Sequence, residues 1–276
     1  MSGLISNTKT WLFVPGDRPE RFEKAATSGA HVVVLDLEDA VAAEHKEPAR
    51  AAVSDYLGAA AQGPALVVRV NSSSCPEGQA DFEALRAHLA PRGPLLAVMT
   101  PKATMSDVRL AVERLGTAAR LVALIESGLG VEQSFELASH PNVLRLAFGA
   151  LDYAADVGAQ LAPESIAFAE SRIVNASAAA GVAKPLARPT VQLDDVKLLA
   201  KETAHARVMG FGGKLCVHPR QIAPVAAAFA PTRDEIDWAQ RVIAESAHGA
   251  VRVGGEMIDA PQILRARNIL EEASTP

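Results

Sequence analysis

Eight short apolar runs, rich in Val, Leu and Ile and spaced by segments of helical character, recur along the chain: TWLFVPG, HVVVLDLED, PALVVRVNS, LLAVMTPKA, ARLVALIES, VLRLAFGALD, KPLARPTVQ and GGKLCVHP. They show no clear apolar/polar alternation, so both faces of each strand must be buried, the condition of a parallel sheet covered by helices. The segments between them, such as PERFEKAATSG, QADFEALRAHL and MSDVRLAVERLG, open on Pro or a Ser/Asp cap in several cases and close on Gly in several. Polar residues at the run ends, Glu38, Arg69, Lys102, Glu126, Asp152, Arg188 and His218, recur at intervals of 24 to 36 positions, the length of a strand–helix–strand unit. Eight such units in about 250 residues predict an α/β fold, a TIM-type (β/α)8 barrel whose active site lies at the carboxyl ends of its strands. An open doubly wound sheet alternates similarly but usually has fewer strands, and no G-x-G-x-x-G follows the first run. The seventh strand, interrupted by Pro185 and Pro189, fits the pattern least well. Residues 1–230 are expected to form the barrel. Residues 231–276 are expected to form a C-terminal hairpin-helix lid extension that packs on the barrel or on a neighbouring subunit.

Composition narrows the partners. Lys+Arg 27 against Asp+Glu 32, with no basic run and 4% aromatic residues, argues against a nucleic-acid groove or an anionic membrane surface. No stretch approaches the roughly 18 unbroken apolar residues of a membrane span, and the first residues lack a signal-peptide profile, so a cytoplasmic protein with a small-molecule partner is expected. Cys75 and Cys216 have no metal-ligand or CxxC spacing and are expected to be reduced thiols.

Within four positions the second run places Asp36, Glu38 and Asp39. Burying like charges without partners costs several kcal/mol or forces protonation, so basic side chains or a cation from neighbouring strands must offset them. One of the three, Asp39, is expected to cap the following helix. Arg69, at the end of the third run, has the planar fork to hold a carboxylate or a developing enolate in two-point contact, and a bridge to Asp36 or Glu38 is compatible with that role. Glu126 and Asp152 follow adjacent strands, and two carboxylates entering the mouth side by side suit Mg2+, which takes one or two protein carboxylates and keeps waters and substrate oxygens. Zinc is disfavoured because the histidines have no HxxxH or HExxH spacing. A nucleophilic triad is unsupported: no G-x-S-x-G occurs, and Ser127 has no obvious histidine partner. Lys102 offers a Schiff-base amine, a minority alternative beside a metal dyad. His218 is expected to be structural or to line the substrate pocket.

Together LFVPGDRPERFEKA, VVVLDLEDAV, RVN, the PK of the fourth run, LIES, AFGALD, GKLCVHPRQI and GEMIDAP resemble, in order and spacing over nearly the whole chain, the citrate lyase β-subunit-like branch of the HpcH/HpaI aldolase superfamily. That resemblance implies a Mg2+-dependent carbon–carbon lyase acting on an acyl-CoA or acyl-carrier thioester and a 2-oxo acid, with Glu126 and Asp152 as metal ligands. It implies Arg69 as a catalytic substrate contact, Asp36 and Glu38 as acids reaching the ion through water, and Phe13, Pro15, Arg18, Lys24 and Lys102 on the CoA or substrate side. Asp259 resembles the acid that relatives extend over a neighbouring subunit's active site, although its place before Ala260 and Pro261 also suits a plain helix cap. A homo-oligomer, trimer or hexamer, is implied. A malyl-CoA thioesterase, a metal-dependent pyruvate aldolase and a non-catalytic subunit of a lyase complex are the alternatives. The chain departs from the family pattern at Leu151 and in RPTVQLDD, positions that bear on substrate identity.

Overall fold

The computed structural model describes residues 7–59, 63–89, 95–246, 251–253 and 256–274. It divides into two compact units, Met1–Ala226 and Ala227–Pro276. In the first, eight parallel strands close into a barrel in sequence order, the first pairing with the eighth. They are β1 (Thr10–Pro15), β2 (Val32–Asp36), β3 (Ala65–Arg69), β4 (Leu95–Thr100), β5 (Leu121–Ile125), β6 (Val143–Phe148), β7 (Ala183–Ala187) and β8 (Gly213–Cys216). Between them run the helices α1 (Phe22–Ala26), α2 (Lys46–Ala59), α3 (Pro76–Arg86), α4 (Met105–Leu115), α5 (Gly128–Glu132), α6 (Ser134–Ser139), α7 (Ala150–Asp156), α8 (Pro163–Ala180) and α9 (Val196–Met209), and α10 (Ile222–Phe229) follows β8.

Alternate residues of each strand point inward, and Trp11, Val32, Val34, Val67, Ala97, Met99, Val122, Leu124, Ala147, Leu186 and Leu215 fill the barrel interior as one buried cluster. The opposite faces, for example Leu12, Val33 and Leu35, are equally buried, which is why the runs read as continuous apolar stretches. Several helix ends are set locally. Thr104 and Asp107 form a reciprocal capping box on α4, Asp195 caps α9, and Gly181 and Gly210 close α8 and α9 in the left-handed conformation.

The seventh element is shorter than its sequence run: β7 stops at Ala187, leaving Arg188 to Gln192 in the following loop. The cause is visible in the partners. Arg188 and Thr190 both turn to Glu202 of α9, at 2.7 and 2.5 Å, and Gln221 donates to the Thr190 carbonyl at 2.7 Å. Asp39 also departs from expectation. The next helical turn, Ala43–His45, has no side-chain cap, and Asp39 is an exposed residue 3.8 Å from Arg69.

A buried cation sits low in the barrel. Arg145 of β6 is fully buried, donates to the carbonyls of Lys184 (2.6 Å) and Thr8 (2.8 Å), and lies over the Trp11 ring. Burial pulls its pKa down to about 9.

The second unit holds α11 (Arg233–Ser246), an antiparallel pair β9 (Val251–Val253) and β10 (Glu256–Ile258), and α12 (Ala260–Ser274). The expected hairpin and helix are therefore present. The hairpin turn at 254–255 lies outside the described residues. Ala239, Val242, Ile258, Ala266 and Ile269 form the unit's own core, and Arg265 stacks on Trp238. Among the described residues no helix is long and apolar enough to cross a membrane.

Candidate active site at the carboxyl rim of the barrel

The acids of the second run find their partners on the next strand. Asp36, at the end of β2 and paired in register with Arg69 at the end of β3, accepts both Nε (2.7 Å) and Nη2 (2.6 Å) of that guanidinium. Its oxygens also accept the backbone N–H groups of Glu38 (2.9 Å) and Ala40 (3.3 Å). One edge of the Arg69 fork is thus committed to Asp36. The remaining Nη1 stands 2.9 Å from Glu38 Oε2, close but outside hydrogen-bond alignment, and Phe13 lies under the guanidinium at 4.9 Å. Burial works to lower the Arg69 pKa, yet the Asp36 hydrogen bonds and the charges of Asp36, Glu38 and Glu126 hold it above its ordinary value. Burial raises Glu38 above the usual carboxylate range even with Arg69 and Lys102 beside it.

Three residues to which the sequence assigned no role hold this acidic turn in place. Lys46 donates to the carbonyls of Leu37 (2.8 Å) and Glu38 (2.7 Å), and Asn71 Nδ2 donates to Leu37 O (2.8 Å). Asp81, wholly buried on α3, accepts Asn71 N and Nδ2 and Arg50 Nε, so that a satisfied polar network ties two helices to the loop after β3. Its signal was an acid at the 81 position of the apolar stripe Gly78, Phe82, Leu85.

Across the mouth, Glu126 follows β5 and is 4% exposed. Its Oε2 accepts the Lys102 backbone N–H at 2.9 Å, while the Gly149 backbone lies directly against Oε1, where a side-chain carbon would overlap it. Asp152 is half-buried in the first turn of α7, which begins directly after Gly149, the single residue between it and β6. Burial, then the charges of Glu38 and Asp152, push the Glu126 pKa up to about 8, against the Lys102 N–H and Arg69 that lower it. The two carboxylates therefore share one field. Lys102 also brings its ammonium to 3.4 Å from Glu38 Oε1.

The donor set fits Mg2+. It consists of carboxylate oxygens only, one of them held in low dielectric, where a divalent cation would neutralise charge that otherwise calls for a proton. Among the described residues no group of three or more His, Cys, Asp or Glu could hold a metal by itself; Glu126 and Asp152 are two carboxylates at this rim that could hold one together with water and substrate oxygens.

The other expected residues lie at the β1 and β8 ends or in the second unit. Pro15 is half-buried at the end of β1, Arg18 is exposed before the turn Pro19–Arg21, and Lys24 is exposed on α1. His218 caps the turn at Pro219–Gln221, its Nδ1 accepting Arg220 N at 3.1 Å. Asp259 is exposed and its Oδ1 accepts the Gln262 N–H at 3.3 Å, a helix cap on α12. Cys75 caps α3, and burial pushes the Cys216 thiol up to about 12, far from a reactive thiolate.

A closed parallel barrel with acids and an anchored arginine gathered at its carboxyl rim defines a TIM-barrel enzyme with a candidate metal centre. The model of the HpcH/HpaI aldolase/citrate lyase family matches residues 9–219, and that of C-C bond lyases of the TIM-barrel fold matches residues 165–275. The chain belongs to the HpcH/HpaI aldolase/citrate lyase family, a family of lyases. It is 36% identical over 275 residues to the citrate lyase subunit beta-like protein of Mycobacterium tuberculosis, covering 95% of this chain and 94% of that protein. It is also 30% identical to the (3S)-malyl-CoA thioesterase of Cereibacter sphaeroides, covering 95% and 93%. Among solved structures, CitE from M. tuberculosis in complex with magnesium, acetoacetate and coenzyme A superposes with a TM-score of 0.81 at 32% identity, covering 98% of this chain and 99% of that one.

Proposed function

We propose that this chain is a Mg2+-dependent carbon–carbon lyase that cleaves, or in reverse forms, a 3-hydroxyacyl-CoA thioester, giving acetyl-CoA and a 2-oxo acid. The observation that carries this reading is the delivery of Glu126 and Asp152 from neighbouring strand ends into one electrostatic field beside Arg69. Mg2+, when bound, supplies a Lewis acid for the oxygens of the 2-oxo acid part. Glu126 and Asp152 would hold it. Arg69, fixed by Asp36 on one edge, would turn Nη1, 2.9 Å from Glu38 Oε2 but not hydrogen-bonded to it, toward negative charge that develops on the substrate, a contribution often worth a few kcal/mol per donor. Asp36 and Glu38 set the position of that guanidinium and balance its charge. Phe13, Pro15, Arg18 and Lys24 would form the thioester side of the site, with Lys102 beside Glu38. Asp259 would exchange a proton with the acetyl methyl carbon, acting on another copy of the chain, so the working form would be at least a dimer. The presence of magnesium with coenzyme A or with oxaloacetate in related structures supports the ligand classes.

The test incubates the purified protein with Mg2+ and malyl-CoA and identifies the products. Acetyl-CoA plus glyoxylate supports the lyase, and Glu126→Ala and Asp152→Ala should abolish it; full turnover and Mg2+ affinity in either variant would remove the metal assignment. Free malate plus CoA would instead establish the thioesterase reading, which the Cereibacter relative favours. For Asp259→Ala, undiminished exchange of acetyl-CoA methyl protons would remove the role given to that acid.

A further inference from the structure

We propose that Lys102 works through its main chain, as the positioning residue for the Glu126 carboxylate. Lys102 is the sole non-glycine with positive φ among the described residues, at 45°. It follows Pro101 in a turn whose second central position ordinarily falls to Gly or Asn when it is left-handed. A lysine carries strain there, and such strain persists only where the surroundings over-determine it. What the conformation achieves is visible: it turns the Lys102 N–H onto Glu126 Oε2 at 2.9 Å. Gly149 limits the room of the same carboxylate, since a Cβ there would overlap Glu126 Oε1. Glu126 is therefore gripped between the end of β4 and the end of β6, with Oε2 engaged and its plane set before any ligand arrives. The ammonium, by contrast, is about half exposed and reaches Glu38 at 3.4 Å, the kind of contact that contributes little by itself.

This inference rests on the reading of Glu126 as a Mg2+ ligand. Partners that orient a metal ligand typically change affinity by about 10 to 100-fold when lost. The experiment compares Lys102→Gly, Lys102→Asn, Lys102→Ala and Lys102→Val, which all lack the ammonium and differ in tolerance of left-handed backbone. Mg2+ is titrated into each purified protein by calorimetry, with Glu126→Ala as reference and circular dichroism to check folding. The expected order of affinity is Gly and Asn together, Ala weaker, and Val weakest by about tenfold or more; if the Val variant is not recovered folded, Ala against Asn carries the comparison. Equal affinity across the variants, while Glu126→Ala abolishes binding, overturns the main-chain role and leaves the metal reading standing. Binding of Mg2+ that survives in Glu126→Ala overturns both.

Discussion

Replacing Asp36 with Asn tests whether the Asp36–Arg69 pair is the structural anchor of the rim. The side chains are 1% and 11% exposed, and Asp36 receives two guanidinium and two backbone N–H donors. Asparagine retains the shape but presents an NH2 group to donors on one side and removes the charge opposing Arg69. Breaking one partner of a buried pair costs about 3 to 5 kcal/mol, because the other charge stays behind uncompensated. With a denaturant slope of about 3 kcal/mol per molar urea for a chain of this size, the unfolding midpoint should fall by about 1 M or more. The internal control is Glu20→Gln, which removes the 3.7 Å pair with Arg21, whose side chains are 64% and 59% exposed. That variant should be within about 0.3 M of wild type, since exposed pairs contribute at most about 1 kcal/mol. Urea melts followed by far-ultraviolet circular dichroism read both. Were Asp36→Asn to melt like Glu20→Gln, the buried pair would not anchor the rim and the description of Arg69 as pre-positioned would fail.

Burial pulls Lys214 down to about 8 from 10.5, so between those values the folded state has shed a proton that the unfolded chain keeps, and this residue's contribution to stability rises with pH across the window. Urea midpoints at pH 8 and pH 10 should show that rise in wild type relative to Lys214→Met; parallel curves would contradict it. Burial and the neighbouring acids push the Glu126 pKa up to about 8, so at neutral pH the proposed ligand would take Mg2+ in competition with a proton. Mg2+ binding at pH 7 should expel close to one proton, with affinity falling about tenfold per unit below pH 8. Calorimetry in buffers of different ionisation heat detects the released proton, and its absence would refute the assignment. Gly149→Ala should weaken Mg2+ binding at least about tenfold while leaving the fold intact, as its Cβ would collide with the Glu126 carboxylate; an unaltered dissociation constant would show that the carboxylate has room to move.

Much of the architecture was legible from periodicity alone. A parallel strand covered on both sides has no polar face to display, so eight unbroken apolar runs spaced by amphipathic segments leave few folds besides a closed barrel. Strand ends were legible for the same reason: the first polar residue after a buried run is where the chain reaches the rim, which is how Arg69, Lys102 and Glu126 came into view. Pairing was not legible. Arg145 sits inside an apolar run and is satisfied by the Thr8 carbonyl 137 positions away, and Lys214 reaches the Arg188 carbonyl across 26 positions. Asp81, an acid on the buried face of α3, meets Asn71 and Arg50 only through the packing of α3 against its neighbours. β7 ended early because Glu202 and Gln221 claimed the residues after it. Local pattern determined which element each segment forms, since apolar content and helix or strand period are properties of neighbours along the chain. Only the pairing of strands into the barrel decided which buried charge meets which partner, and which backbone N–H meets Glu126, because contacts such as Lys102–Glu126 and Arg145–Thr8 join segments 24 and 137 positions apart that become neighbours only when the strands assemble side by side.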